Sequence, residues 1–493
     1  MAKSEENDLI FLIRSLKQST AKQFKKQLKL TDYKANSVKI TLFDAIFKDI
    51  FDKKNFLHKQ KLSTEKFNYL KFELFKNLIS YLKVNYDAYS DIALQNEVIE
   101  LQLLLKRKLF IKANRKLEFI KKIAMEKCDF ETAYFAQKIA LNYHMFGHSN
   151  KFNSLDETIK EITKYRELAD NLNAYTLLNF EVLQIHYNYL DKRVKDRSTL
   201  LEYLNHELLQ DKSKALSILS EYHFYLIKSL IYIGNNDYQQ GKKNSLLAYQ
   251  HLQAHPSKYR DDYKFNSVAL NNYLDSSLNL SETVVFEETY PVMIEMTKNS
   301  NKNDTYSKVN AFQQLCSLHL NYLWKTKDYA TFLNKSKDYE RDYATYETHL
   351  SPNFKIEILL GFAKMYFWNG NLYEAEQFCN KIIEEKANPA SMYIVCANIL
   401  RIMINIEMGN YKLIPHLTDT SKYSLKNRNR LFDVEHYFFN KIKKLKPYYS
   451  DDQKTKFFYT LFNEIKHKIM EAEEMVIDEK INILRWLQLK AKA

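Results

Sequence analysis

Glycine and proline are almost missing from this chain. There are six of each among 493 residues, about 2% together where an ordinary globular chain carries roughly 12%. Tight turns, strand bulges and phosphate-cradling loops draw on these residues, so their scarcity argues against a β fold and leaves helix. The glycines themselves, Gly147, Gly234, Gly241, Gly361, Gly370 and Gly409, stand too far apart for a nucleotide or dinucleotide loop. Cysteine is as sparse. Cys128, Cys316, Cys379 and Cys396 show no paired spacing and read as single buried thiols in a reducing compartment. Long apolar runs are missing too. Ile394–Ile406 comes nearest and contains Arg401, and the first apolar run, Leu9–Ile13, is too short for a signal-peptide core. A cytoplasmic chain without a membrane span is expected.

Aromatic residues are plentiful, with 36 Tyr and 31 Phe, so the helices have bulky apolar faces to bury. The formal net charge is +14, and it is unevenly spread. Residues 1–128 hold 27 Lys/Arg against 15 Asp/Glu, residues 129–420 hold 31 against 35, and residues 421–493 hold 16 against 10. A basic beginning and end flank a near-neutral middle. Codon bias alone would not divide the charge that way.

One local pattern recurs: an apolar helix end, a short polar turn, then an aromatic or apolar residue with a small or apolar partner three positions on. It occurs at Phe110 with Ala113, Tyr238 with Gly241, Tyr329 with Phe332, Leu372 with Ala375 and Tyr411 with Ile414. Weaker copies fall near Phe152, Arg197 and Thr283. Taken in order, these positions are 39 to 46 residues apart, and that near-constant period predicts repeated helix pairs. Two amphipathic helices joined by a turn cannot bury their apolar faces alone, whereas stacking the next pair on them does. Ser154 with Glu157 and Ser450 with Gln453 read as capping boxes, and Ser351-Pro352 and Asn388-Pro389 as caps before a first-turn proline. The pairs run roughly 88–126, 130–171, 174–210, 214–254, 259–298, 305–346, 352–387 and 390–427, after about four non-repeating helices in 1–86. A closing section, 430–446 and 451–490, ends in one long helix that caps the array.

The unit from Ile356 to Asn388 resembles a tetratricopeptide repeat in the placing of Leu359, Ala363, Tyr366, Gly370, Ala375 and Asn388-Pro389. The unit with Tyr225, Ser229, Tyr232, Asp237, Tyr238, Gly241 and Ala248 is similar. The early Trp of that family is missing, most units lack the closing Pro, and the period exceeds the usual repeat of about 34. The stretches Leu12–Leu30, Leu42–Ile46 and Lys108–Ala124 also look like a family of uncharacterised bacterial proteins of about this length. The expected fold is therefore all-α: a tetratricopeptide-like α-solenoid of about eight helix pairs over 88–427, with a basic helical N-terminal region at 1–86 and C-terminal capping helices at 430–493.

No catalytic, cofactor or metal site is expected. His144 and His148, and His251 and His255, lie four apart without an evident third ligand and read as helix-end histidines. Glu473, Glu474, Asp478 and Glu479 read as a solvated acidic face. The tetratricopeptide resemblance implies a scaffold that binds another protein or peptide. It places Gln314, Asn321, Trp324, Lys364 and Trp368 in a groove lined by the first helix of each pair, with the two tryptophans either flooring it or packing between repeats. The alternative partner is RNA or a ribosome. It would be met by Lys22, Lys25, Lys26, Lys29, Arg107, Lys108, Lys112, Arg115, Lys116 and Lys122, since Lys and Arg neutralise phosphates whatever the base sequence. Phe24, Phe110 and Phe119 lie among them at a spacing that suits core anchors better than base stacking.

Overall fold

Seven times among the described residues a helix ends on one left-handed residue, and helical backbone, α or 3₁₀, resumes two residues later. The left-handed residues are Lys108, Cys128, Asn236, Ser281, Lys327, Gly370 and Gly409, with φ between 51° and 85°. Each closes the same pair of backbone bonds. At Lys327, its own N–H donates to Trp324 O (3.2 Å) and the Asp328 N–H to Leu323 O (2.9 Å). At Gly370 the bonds run to Phe367 O (3.0 Å) and from Asn371 N–H to Tyr366 O (3.0 Å). This Schellman arrangement satisfies carbonyls that a helix end leaves orphaned. At three of these turns an Asp follows and caps the next helix: Asp129, Asp237 and Asp328 accept from the N–H of Thr132, Gln240 and Thr331 at 3.0–3.1 Å.

The computed structural model describes residues 8–10, 12–14, 16, 18–31, 36–84, 91–144, 154–192, 198–255, 263–299, 305–385, 391–428, 431–472 and 475–492. Among these most are helical and none forms a strand. No described helix is long and apolar enough to cross a membrane. The expected turns near Phe152 and Arg197, and the Asn388-Pro389 cap, lie outside the described residues.

By packing, the chain divides into two compact units, Met1–Asn171 with Asn301–Tyr306, and Leu172–Ser300 with Ser307–Ala493. The segments 1–86, 88–427 and 430–493 are a different partition, drawn on repeat spacing. The first unit holds α1 (Gln18–Thr31), α2 (Asn36–Phe47), α3 (Lys53–Gln60), α4 (Thr64–Val84), α5 (Asp91–Lys106), α6 (Phe110–Glu126) and α7 (Phe130–His144). Phe24 sits against Phe43 and Tyr81, ring centroids 5.3 Å apart in both cases, in a core shared by α1, α2, α3 and α4. A second core joins α5, α6 and α7. The buried Lys121 is held there between Glu118 and Glu161, at 2.8 Å from each.

The helix α8 (Leu155–Lys192) departs from expectation. The sequence predicts a break between pairs near 171–174, yet the helix runs through for 38 residues. Tyr165, Ala169, Leu172, Tyr175, Leu178 and Val182 keep an unbroken three- or four-residue apolar spacing, and no Gly or Pro interrupts it. The expected second helix of the 174–210 pair is replaced by short pieces, α9 (Ser198–Glu202) and α10 (Glu207–Gln210), with 3₁₀ turns between and after. The Tyr175 hydroxyl donates to Leu208 O (2.8 Å) across this stretch.

The second unit continues with α11 (Ile218–Gly234), α12 (Tyr238–Ala254), α13 (Tyr263–Asn279), α14 (Thr283–Asn299), α15 (Thr305–Thr326), α16 (Tyr329–Tyr346), α17 (Pro352–Trp368), α18 (Leu372–Glu384), α19 (Ser391–Glu407), α20 (Ile414–Asn427) and α21 (Asp433–Ile442). Their bounds fall close to those expected, and most neighbours in sequence pack against each other. At Gly241, α12 packs closely against α11. A Cβ there would lie 2.6 Å from Ile233 Cγ1, and its carbonyl accepts from Ser229 Oγ at 3.1 Å. The capping boxes at Ser154/Glu157 and Ser450/Gln453 are formed, with both reciprocal bonds at 2.9–3.3 Å.

Two substitutions test this account. Gly241→Ala has no room for its methyl group and is expected to lower stability by about 1–3 kcal/mol. Lys327→Gly relieves a left-handed lysine and is expected to raise stability by about 1 kcal/mol. Urea titration followed by circular dichroism reads both; a stabilised Gly241→Ala or a destabilised Lys327→Gly would contradict the turn geometry.

Candidate functional site

The helix α17 is apolar almost all round. Ile356 and every residue from Ile358 to Phe367 are buried, so it is covered on all sides rather than facing solvent on one. Its cover includes α16, α18 and α19. On a further side lies the C-terminal segment of the chain itself.

That segment was expected as one helix from Asp451 to Lys490. Among the described residues it comprises α22 (Asp451–Ala472), α23 (Met475–Ile481) and α24 (Ile483–Lys490), and a break is seen between the last two. Between the last two, Asn482 takes a left-handed conformation, φ 54°, which Asn tolerates better than most residues. Partners on both sides of the break explain it. The last carbonyls of a helix have no partner within it, and here two indoles supply one. Trp324 Nε1 of α15 donates to Glu479 O (3.0 Å), and Trp368 Nε1 of α17 donates to Ile481 O (3.3 Å). Asp478, read from sequence as part of a solvated face, is half-buried and caps α24 by accepting from the Leu484 N–H (2.7 Å). Glu473 and Glu474 lie outside the described residues.

Side chains fix α24 as well. Glu407 of α19 accepts from Trp486 Nε1 (2.6 Å) and from Lys490 Nζ (2.7 Å). The Arg485 guanidinium lies 4.5 Å from the Trp368 ring centroid and donates to the Tyr329 hydroxyl (3.4 Å). Trp486 meets Phe458 of α22 edge-on at 5.6 Å. All three tryptophans of the chain thus converge on one contact. Ile477, Ile481, Ile483, Trp486 and Leu487 are buried in it, which contributes roughly 10 kcal/mol at about 2 kcal/mol each.

Lys364 lies beside Trp324, 4% exposed, with its ammonium 4.5 Å from the Trp324 ring centroid. Burial pulls its pKa down to about 7, Lys480 and Lys325 push the same way, and Glu357 and Cys396 oppose them. Nearby, desolvation raises the Asp275 carboxyl, with Lys480 opposing, and raises the Tyr393 hydroxyl, with Glu357 adding to the effect. Lys480 of α23 reaches over the Tyr393 ring at 5.6 Å. The side chains under and around the segment thus include buried polar groups as well as aromatic rings. That arrangement holds a polypeptide by its carbonyls and cations.

Of the other residues assigned to a groove, Gln314 accepts from the Tyr263 hydroxyl at 3.0 Å and Asn321 is half-buried; neither is seen bound to the segment. Glu407, Lys480, Arg485, Trp486 and Lys490 were not singled out from the sequence. The signal available was the third tryptophan, set in a basic apolar tail. Among the basic residues, Lys22, Lys26, Lys29, Arg107, Lys108, Lys112, Arg115 and Lys122 are exposed. Lys25 pairs with Asp44 at 2.7 Å, and Lys116 pairs with Glu97 and Glu100. Phe24 and Phe110 are core residues, and Phe119 is 47% exposed. His251 and His255 meet ring to ring at 4.7 Å, with His251 hydrogen-bonded to Ile218 O; His148 lies outside the described residues. Among the described residues no three His, Cys, Asp or Glu side chains are grouped to hold an ion. Compared with family models, curated proteins and solved structures, the chain finds no match.

Lys364 gives this site a pH signature. Unfolded, the amine keeps its proton to about 10.5; folded, it releases it near 7. Between those values the unfolded chain binds more protons, so the folded state gains as pH rises and loses that gain as pH falls towards 7. From pH 7 to pH 9 the wild type is expected to gain about 2 kcal/mol relative to Lys364→Met. Urea titrations of both chains at the two pH values measure it; parallel pH profiles would show that Lys364 stays charged.

Proposed function

We propose that the chain is a non-catalytic helical-repeat scaffold that binds another protein, holding a segment of it on the face formed by α15, α17 and α19. In this reading the helix pairs from α11 to α20 stack in order as a tetratricopeptide-like α-solenoid. The first helix of each pair then lines one face. The recurrence of the left-handed residue at Asn236, Ser281, Lys327, Gly370 and Gly409 supports the repeat. The observation that carries the binding role is that Trp324 and Trp368 spend their N–H groups on main-chain carbonyls of a polypeptide segment. A face with that chemistry suits an extended or helical peptide better than a small substrate.

The test is the pair Trp324→Phe and Trp368→Phe, which keeps two aromatic rings and deletes both donors. A partner captured by tagged wild type, and then purified, is expected to bind the double variant at least tenfold more weakly by calorimetry. Undiminished affinity would remove this face from the proposal.

One observation favours a second reading, an RNA- or ribosome-binding protein. Lys22, Lys26 and Lys29 are exposed on one side of α1, three to four residues apart. If they meet phosphates, affinity for a single-stranded RNA should fall roughly tenfold or more between about 50 and 200 mM salt. It should also fall with Lys22→Glu, Lys26→Glu and Lys29→Glu combined. No binding at the lower salt concentration would end this reading.

A further inference from the structure

We propose that residues 475–490 are an internal ligand: a displaceable segment that covers the α15–α17–α19 face until a partner segment of the same chemistry takes its place. That chemistry is a short helix whose last carbonyls lie bare, followed within one turn by an aromatic and a basic side chain. The inference rests on the scaffold reading and specifies its ligand and its resting state.

The contacts are those of a bound peptide. Two of them reach main-chain oxygens, Glu479 O and Ile481 O, from the indoles of Trp324 and Trp368. Any helix C-terminus presents such oxygens. The selective contacts come from the opposite direction. Glu407 takes the indole N–H of Trp486 and the ammonium of Lys490 together, and the Trp368 ring takes Arg485 on its face. A partner that supplies an aromatic donor and cations at these spacings meets every group the internal segment meets. The two helices of the segment are only seven and eight residues long, too short to persist alone in water, so it is these contacts that hold the segment in place. Tethering raises the segment's local concentration, so a partner sees the face only for the fraction of time that the segment is away. The consequence is a raised threshold for binding rather than a permanently closed site.

The experiment uses full-length chains and a dye-labelled synthetic peptide of residues 475–492. Trp486→Ala weakens the internal segment and leaves the receiving face intact. Arg485→Ala with Lys490→Ala does the same without touching a buried side chain, in case the first variant folds poorly. Both are expected to bind the peptide at least tenfold more tightly than wild type by fluorescence anisotropy. In wild type, amides of α23 and α24 are expected to exchange with deuterium at least a hundredfold faster than those of α17. The proposal is overturned if those amides exchange no faster than α17. It is equally overturned if folded variants take up the peptide no better than wild type. Self-association of wild type that is lost on competition with the peptide would make a second copy the occupant, and would overturn it too. The scaffold reading fails separately. If the segment opens and the peptide binds, yet no partner depends on Trp324 and Trp368, that reading falls and the internal ligand stands. If a partner depends on them and the segment never opens, the reverse holds.

Discussion

Helices of about 17 residues with one apolar face are marginal in water by themselves, so every element here depends on how its end is turned back onto a neighbour. Seven of the turns take one form: a left-handed residue that lets two N–H groups reach back to orphaned carbonyls, with helical backbone resuming two positions on. In most chains glycine fills that place. Here Lys108, Cys128, Asn236, Ser281 and Lys327 occupy it, at a cost of about 1 kcal/mol each. Closed hydrogen bonds and the buried face of the second helix offset that cost. The strain is tolerated because the hairpin needs the geometry more than it needs the residue type.

This constraint explains which parts of the fold were legible. The period of the turns could be read because a polar link and an apolar start must recur wherever two helices fold back. Six of the eight positions that marked it, from Phe110 to Tyr411, fall two residues after a left-handed residue. The join inside α8 could not be read so easily. A boundary inferred from period alone was placed at 171–174, while the local apolar spacing from Tyr165 to Val182 continues without a fault. Local spacing prevailed over the period, as it should where no Gly or Pro ends the helix. The break at Asn482 was hidden for a different reason. Nothing in Ile477–Leu487 stops a helix by propensity. The partners that stop it, Trp324 and Trp368, lie more than a hundred residues away along the chain.

The candidate site was legible to the same degree. Trp324, Lys364 and Trp368 could be placed on one face by repeat offsets, because those offsets are a local property of the hairpin. What covers the face is a tertiary property of the tail, and it changes what the residues do. Trp324 serves two groups at once, giving its ring to Lys364 and its N–H to Glu479 O. The buried amine and the docked segment are therefore linked through one side chain. Lys480, carried by the segment, lies among the charges that depress Lys364. By reciprocity the protonation of Lys364 and the docking of α23 bear on each other. A charged Lys364 strengthens its contact with the indole face and meets more repulsion from Lys480.

Recognition through main-chain oxygens carries little information by itself, since all helices end in the same carbonyls. Discrimination must come from groups that distinguish one sequence from another. On this face those are Glu407 and the Trp368 ring, which together read an aromatic donor and two cations from α24. The two roles fall on different helices. α15 supplies only the general contact through Trp324, α19 supplies only the selective one through Glu407, and Trp368 on α17 provides both. If the face takes a partner segment as proposed, a substitution in α15 should weaken all such segments alike, while one in α19 should change which is preferred. That division follows from the chemistry of the acceptors, a carbonyl on one side and a carboxylate on the other, and it holds whichever chain supplies the segment.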